Sequence, residues 1–273
     1  MQGPSIAVIG GGNMAHAIVE GAIGAGVLDA DRVVVAEPDP SRRSAFALGV
    51  ASAREAIAWL DEQHADGQVL LAVKPQSLAG VGAELRGRCR GRVVISILAG
   101  TPGERVREAV GPGVRVVRAM PNTPARIGRG MTAVSLSAGA RDGDEKFAVA
   151  LFSGIGRVVD IEEALMDAYT ALAGSGPAYL FYLAEAMVRA GESMGFDSAT
   201  SARIVRETLA GAALLYAGVT EEASKLRADV TSRGGTTEAA IGVLNDSGVM
   251  QALEKAVIAA RDRGAMLGRT PAG

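Results

Sequence analysis

The feature that most constrains this chain is a run of six residues, Gly10-Gly11-Gly12-Asn13-Met14-Ala15. It follows the apolar stretch Ile6–Ile9 directly and opens a helix-like stretch at 15–25. The spacing is G-x-G-x-x-A. The first glycine permits a tight turn, the second lets backbone approach a pyrophosphate, and the small last residue lets the helix pack closely on the strand. A helix N-terminus arriving there offers unpaired N–H groups and the positive end of its dipole to an anion. Any glycine-rich turn shares this composition. What favours a dinucleotide cradle is the order of elements: strand, turn, helix, and then a second strand-like run at Val33–Ala36.

Such a cradle needs a parallel sheet behind it. Further β-branched runs recur at 69–73, 93–97, 114–120, 131–136 and 157–161. They lack polar alternation, as strands buried on both faces do. Helix-like stretches such as 15–25 and 41–48 lie between several of them, which predicts an α/β, doubly wound parallel sheet. With 48% hydrophobic and 21% charged residues, the chain can fill the core this sheet requires. After Ile161 the texture changes. Ala, Leu, Met and Glu dominate, and Tyr179, Tyr182, Leu183, Ala186, Met187 and Ala190 repeat at helical spacing. The expected organisation is a dinucleotide-binding domain over 1–161 and an all-helical domain over 162–273. Residues 268–273 have the look of a frayed tail.

Composition excludes several functions. A net charge of −2 gives no electrostatic case for nucleic acid or an anionic membrane as partner. Cys89 is the only cysteine, and His16 and His64 are the only histidines, so no metal site is expected. No apolar run approaches the ~20 residues of a membrane span. The stretch from Met1 to Ser5 lacks the basic and apolar regions of a secretory signal. The expectation is a soluble cytoplasmic protein.

Glu37 closes the second strand-like run. An acid there accepts hydrogen bonds from adenosine ribose hydroxyls and repels a 2′-phosphate, a lean toward NADH. Arg42 and Arg43 follow and are taken for a solvated helical turn, with neutralisation of a 2′-phosphate as the alternative. Three more stretches follow strands: Val73-Lys74-Pro75-Gln76, Ser96-Ile97-Leu98-Ala99-Gly100 and Met120-Pro121-Asn122-Thr123-Pro124. Each alone is simply a turn. Together they line one crevice, because ligands of doubly wound sheets bind beyond the carboxyl ends of the strands. Gly174-Ser175-Gly176-Pro177-Ala178-Tyr179 should interrupt or kink its helix, since in a helix interior Gly costs ~1 and Pro ~3 kcal/mol. It is either an inter-helix turn or a backbone opening for nicotinamide or substrate. Finally, Ser232, Gly234, Gly235, Thr236 and Thr237 precede a helical run. Their N–H groups and hydroxyls suit a carboxylate. On these residues alone, a plain N-cap with a glycine turn is the favoured reading.

Taken in order, these motifs resemble the pyrroline-5-carboxylate reductase family, from about Ile6 to about Ala265. The stretches that carry the resemblance are 72–76, 118–125, 174–179 and 232–237. It implies a Rossmann domain followed by a helical dimerisation domain. It also implies homodimers or higher homo-oligomers interlocked through their helical halves, with part of each active site supplied by the partner chain. The implied reaction is hydride transfer from NADPH or NADH to the C=N bond of 1-pyrroline-5-carboxylate, giving L-proline. By resemblance, Gly10, Gly12, Asn13 and Met14 fall on the phosphate loop, and Lys74 and Pro75 on the cofactor-side strand end. Ala99, Met120, Pro121 and Asn122 fall near the nicotinamide. Ser232, Gly234, Gly235, Thr236 and Thr237 fall on the loop that holds the substrate carboxylate and ring nitrogen, with Thr237 the catalytic hydroxyl. There are two departures from the family pattern. Arg233 stands where many members have proline, and Glu37-Pro38 stands where many carry a polar or basic pair suited to NADPH.

A protonated imine is already electrophilic, so the reaction needs no strong general acid, in keeping with the absence of histidine from the motifs. Two rivals remain at this level. A β-hydroxyacid dehydrogenase-like oxidoreductase would need a helical-domain lysine such as Lys225. A non-catalytic nucleotide-sensing protein would have no use for the Ser232-to-Thr237 turn.

Overall fold

The computed structural model describes residues 4–269. Met1 to Gly3, part of the stretch weighed as a signal, and 270–273 of the expected tail lie outside them. The strands are β1 (Ile6–Ile9), β2 (Val33–Ala36), β3 (Gly49–Val50), β4 (Gln68–Leu71), β5 (Val93–Ser96), β6 (Arg115–Met120), β7 (Gly130–Leu136) and β8 (Gly156–Asp160). The helices of the first half are α1 (Asn13–Gly24), α2 (Pro40–Arg43), α3 (Ala53–Gln63), α4 (Leu78–Leu85), α5 (Gly103–Val110), α6 (Lys146–Ser153) and α7 (Met166–Tyr169). Those of the second are α8 (Gly176–Ser193), α9 (Ser198–Ala217), α10 (Ala223–Asp229), α11 (Thr236–Asp246) and α12 (Val249–Arg269). None is long and apolar enough to cross a membrane.

The eight strands form one sheet in the order β3-β2-β1-β4-β5-β6-β7-β8. The first six are parallel, which is the Rossmann order. The order in which strands are laid down reverses between β1 and β4, so a crevice opens at their carboxyl ends. The alternation of side chains explains the two cores. Leu70 of β4 faces one with Ile18, Leu151 and Phe152. Its neighbours Val69 and Leu71 face the other with Ile57, Leu60 and Val106.

The structure departs from the sequence expectations in three places. β7 runs antiparallel to β6, and β8 runs parallel to β7. The reason is the connection 121–129, which is too short for a crossover of about a dozen residues. The helix expected over 41–48 stops at Arg43. Beyond it Leu48 O accepts from Val35 N and Val50 O from Glu37 N, both at 3.0 Å. Pairing with β2 at the sheet edge thus overrides local helical pattern. Gly268, the first residue of the expected tail, lies inside α12. A Cβ there would lie 3.3 Å from Gly100 O, and Arg105 Nη1 donates to Leu267 O at 3.3 Å.

Two compact units result. One holds the residues up to Ser175 and those from Ala260 on, and the other spans Gly176–Ala259. In the second unit α8 and α9 meet closely, since a Cβ on Gly191 would lie 2.7 Å from Ser201 Oγ. Val205 is its only buried apolar side chain among the described residues. Leu180, Phe181, Tyr182 and Leu183 are exposed by 41, 66, 77 and 47%. These four consecutive residues point around one full turn of α8, so apolar surface on that turn is left uncovered on more than one side.

Candidate functional site

The three glycines after β1 answer to three different constraints. Gly10 has φ +104°, and a Cβ there would lie 2.7 Å from Ala72 O, across the β1–β4 crevice. Gly11 is wedged: a Cβ would lie 2.9 Å from Glu37 Cβ and 3.0 Å from Phe46 Cε2. Gly12 is the N-cap of α1 with φ −73°, and a Cβ there meets nothing within 4 Å. Its missing side chain therefore faces open space and is not needed for packing. The N-terminus of α1 has no side-chain cap and no acid in its first turn. Its N–H groups and positive dipole end are left to a ligand, and phosphate fits them. Asn13 is exposed and Met14 half-buried beside this opening.

Glu37 is buried at the end of β2 and braces the glycine loop. Gly11 N donates to its Oε2 at 2.8 Å and Asp39 N to its Oε1 at 3.1 Å. A carboxylate has about four lone-pair sites, so acceptor capacity remains for ribose hydroxyls. The Asp39 carboxyl is held below its usual range by hydrogen bonds from the Ser41 hydroxyl and N–H. Arg42 is exposed, 3.8 Å from Asp39, as a solvated turn would have it. Arg43 departs from that reading. Its Nη1 donates to Glu37 O at 2.9 Å and to Pro38 O at 3.2 Å, folding the side chain back over this strand end.

Lys74 and Pro75 are exposed just beyond β4. Ala99 is half-buried beyond β5, where Gly100 turns with φ +60°. Beyond β6, Pro121 is buried, while Met120 and Asn122 turn their side chains onto the segment after α7. Asn122 Nδ2 donates to Ala173 O, and Asn122 Oδ1 accepts from Met131 N, both at 2.9 Å. A Cβ on Gly174 would lie 3.2 Å from Met120 Cε. The interruption expected at 174–179 comes slightly earlier. Ser175 N donates to Thr170 O at 2.9 Å, five residues back, which makes Thr170–Gly174 a π-type turn. Such turns recur at functional sites. Pro177 sits in the first turn of α8, where its missing N–H costs nothing.

In the second unit, the stretch before α11 forms a tight turn. Gly234 has φ +72° and donates its N–H to Glu238 Oε2 at 2.7 Å, while Gly235 N donates to Ser232 O at 3.0 Å. Ser232 Oγ lies 2.6 Å from where a Gly235 Cβ would be. Gly235 is the N-cap, so no side chain of its own covers the first-turn N–H groups of Thr236 and Thr237. Thr236 is exposed and Thr237 half-buried at that start.

Sequence reasoning missed three contributors. Glu238 had a signal, an acid at the third helical position, where a capping-box residue reaches back. Arg118 also had one, as a charge inside the apolar run Val116-Val117-Arg118-Ala119. Its partner Glu163 had none, being 45 residues distant. No group of His, Cys, Asp and Glu that could hold a metal occurs among the described residues.

Residues 163–267 match the family described as pyrroline-5-carboxylate reductase dimerisation. Residues 5–100 match the family described as NADP oxidoreductase, coenzyme F420-dependent. A pyrroline-5-carboxylate reductase of Synechocystis sp. is 37% identical, over 97% of this chain and 98% of its own. The pyrroline-5-carboxylate reductase structure from Coxiella burnetii has a TM-score of 0.87 at 32% identity, covering 98% of this chain and 100% of that one. The Plasmodium falciparum pyrroline carboxylate reductase structure, with NADP bound, has a TM-score of 0.86 at 25% identity, covering 98% and 99%. With similarity at this level along essentially the whole length of both chains, the chain belongs to the pyrroline-5-carboxylate reductase family.

Proposed function

We propose that the chain reduces the C=N bond of 1-pyrroline-5-carboxylate, taking hydride from a nicotinamide dinucleotide and releasing L-proline. The observation that carries this reading is the end-to-end likeness to pyrroline-5-carboxylate reductases, which runs through both the glycine cradle and the Ser232-to-Thr237 turn. The bound dinucleotide supplies the hydride. The chain's own work is holding and orienting. Gly10, Gly12, Asn13 and Met14 receive the pyrophosphate at the start of α1. Lys74, Pro75, Ala99, Met120, Pro121 and Asn122 border the nicotinamide side. Ser232, Gly234, Gly235 and Thr236 hold the substrate carboxylate at the start of α11, and the Thr237 hydroxyl bonds the ring nitrogen. Oxidation of NADH or NADPH by pyrroline-5-carboxylate, with proline identified chromatographically, tests the reading. No turnover with either cofactor would overturn it.

We further propose that NADH is used as well as or better than NADPH. Two carboxylates, Glu37 and Asp39, stand at the end of β2, and Arg43 is spent on backbone carbonyls. Glu37→Ser is expected to shift the ratio of kcat/KM values toward NADPH by roughly tenfold, about 1.4 kcal/mol of relieved repulsion. The brace on Gly11 N is lost too, so affinity for both cofactors falls and the ratio is the informative readout. A wild-type enzyme strongly preferring NADPH would show that the arginines decide.

The helical unit is proposed to be completed by a second copy of the chain. Its near lack of buried apolar side chains leaves it without a core of its own. Sedimentation at micromolar concentration is expected to give a homodimer or larger assembly, and a monomer would contradict the proposal.

A further inference from the structure

Side chains alternate along β6, so Val116, Arg118 and Met120 share a face, and Asn122 continues it beyond the strand. Val116 packs in the core. The next three same-face residues all grip one segment, 163–174. Arg118 Nη1 lies 3.5 Å from Glu163 Oε1, Met120 abuts Gly174, and Asn122 holds Ala173 O. Glu163 is itself tied down. Its Oε1 accepts from Gly103 N at 2.8 Å, and its Oε2 accepts from the Ser137 hydroxyl. Arg118 is 5% exposed, the deepest charge among the described residues. Burial lowers its pKa, against the attraction of Glu163 and Asp167. A buried ion pair is a poor route to stability, because apolar side chains of similar volume usually do as well or better. What the pair supplies is a fixed point between β6 and Glu163, at the start of the segment that runs through α7 into the π-type turn.

We infer that Arg118, through Glu163, is a positioning residue for hydride transfer: it sets the Thr170–Gly174 turn against the Met120–Asn122 loop. The inference rests on the proposed reading that this loop borders the nicotinamide. Hydride transfer requires reacting atoms about 3–3.5 Å apart, and a 1 Å misplacement can cost roughly 100-fold.

The test uses the full-length chain as wild type, Arg118→Met, Arg118→Lys and Glu163→Gln. Each form is assayed with pyrroline-5-carboxylate and with cofactor carrying hydrogen or deuterium at the transferred position. Amide exchange at 170–175 is followed in the ligand-free protein. Arg118→Met is expected to lower kcat by roughly 10–100-fold, to enlarge the deuterium isotope effect on kcat, and to leave dinucleotide affinity little changed. Exchange at Ser175 N–H should quicken in the same variant, and Arg118→Lys should restore part of kcat. Should Arg118→Met melt below assay temperature, Glu163→Gln takes its place, with the same directions expected. Wild-type kcat and isotope effect in the variants would overturn the inference. A wrong substrate gives a different result, no turnover in any form including wild type, which overturns the inference together with the reading it rests on.

Discussion

Gly12→Val is expected to abolish dinucleotide binding while leaving the fold intact. At φ −73° and ψ 178° the Gly12 backbone suits any L-residue, and a Cβ there meets no atom of the protein within 4 Å. The valine side chain therefore projects into the space a pyrophosphate must enter to reach the first N–H groups of α1. Affinity should fall by roughly 100-fold or more, at least about 2.7 kcal/mol. The fold should lose only about 1 kcal/mol for a poorer N-cap. That corresponds to a fall of about 2–4 °C in the unfolding midpoint. Gly10→Ala is the contrasting control. Its Cβ would stand 2.7 Å from Ala72 O at φ +104°, so that variant should lose stability first and binding as a consequence. Fluorescence titration with NADH and NADPH, alongside thermal unfolding, separates the two. Wild-type affinity in Gly12→Val would remove this loop as the phosphate site.

This contrast also shows what kind of information was readable from residues alone. The glycine fingerprint is local, so Gly10, Gly12 and the strand before them were legible without any partner. What each glycine is for was not, because the answer lies in Ala72, Glu37 and Phe46, which the fold brings in from elsewhere. Strands buried on both faces announce themselves as uninterrupted apolar runs. β3 is two residues long and carries no period, so nothing in its own residues marks it as a strand. The direction of β7 is not in its own residues but in the length of 121–129. Met120 and Asn122 stand in the sequence as cofactor-side residues by resemblance alone, and only the fold shows that their side chains brace 173–174. The Arg118–Glu163 pair spans 45 residues and needs the finished sheet before it exists. The Ser232-to-Thr237 turn was the opposite case. Its residues alone suit a carboxylate but favour a plain helix cap, and the substrate reading rests on the resemblance to a family.

For that turn the decisive variant is Thr237→Ala, expected to lower kcat/KM for pyrroline-5-carboxylate by roughly 10–100-fold with dinucleotide affinity little changed. The argument starts from the helix end. Gly235 caps α11 without a side chain, and Gly234 N is already taken by Glu238. The first-turn N–H groups of Thr236 and Thr237 therefore remain for an anion, and a substrate carboxylate fits them. Thr237, half-buried in that turn, brings its hydroxyl to the same helix start. A hydrogen bond to a charged group contributes ~1.5–3 kcal/mol, and losing it only in the transition state gives the stated factor. Thr237→Ser keeps the hydroxyl and should recover most of the rate. Ser232→Ala should act differently. Ser232 Oγ sits against Gly235, so its loss loosens the carboxylate turn in ground and transition states alike, and KM rises more than kcat falls. Steady-state kinetics on the three variants, paired with cofactor titrations, decides the matter. Wild-type kcat/KM in Thr237→Ala would reduce this turn to a helix cap, and the substrate contacts would have to be sought instead at the π-type turn of Thr170–Gly174.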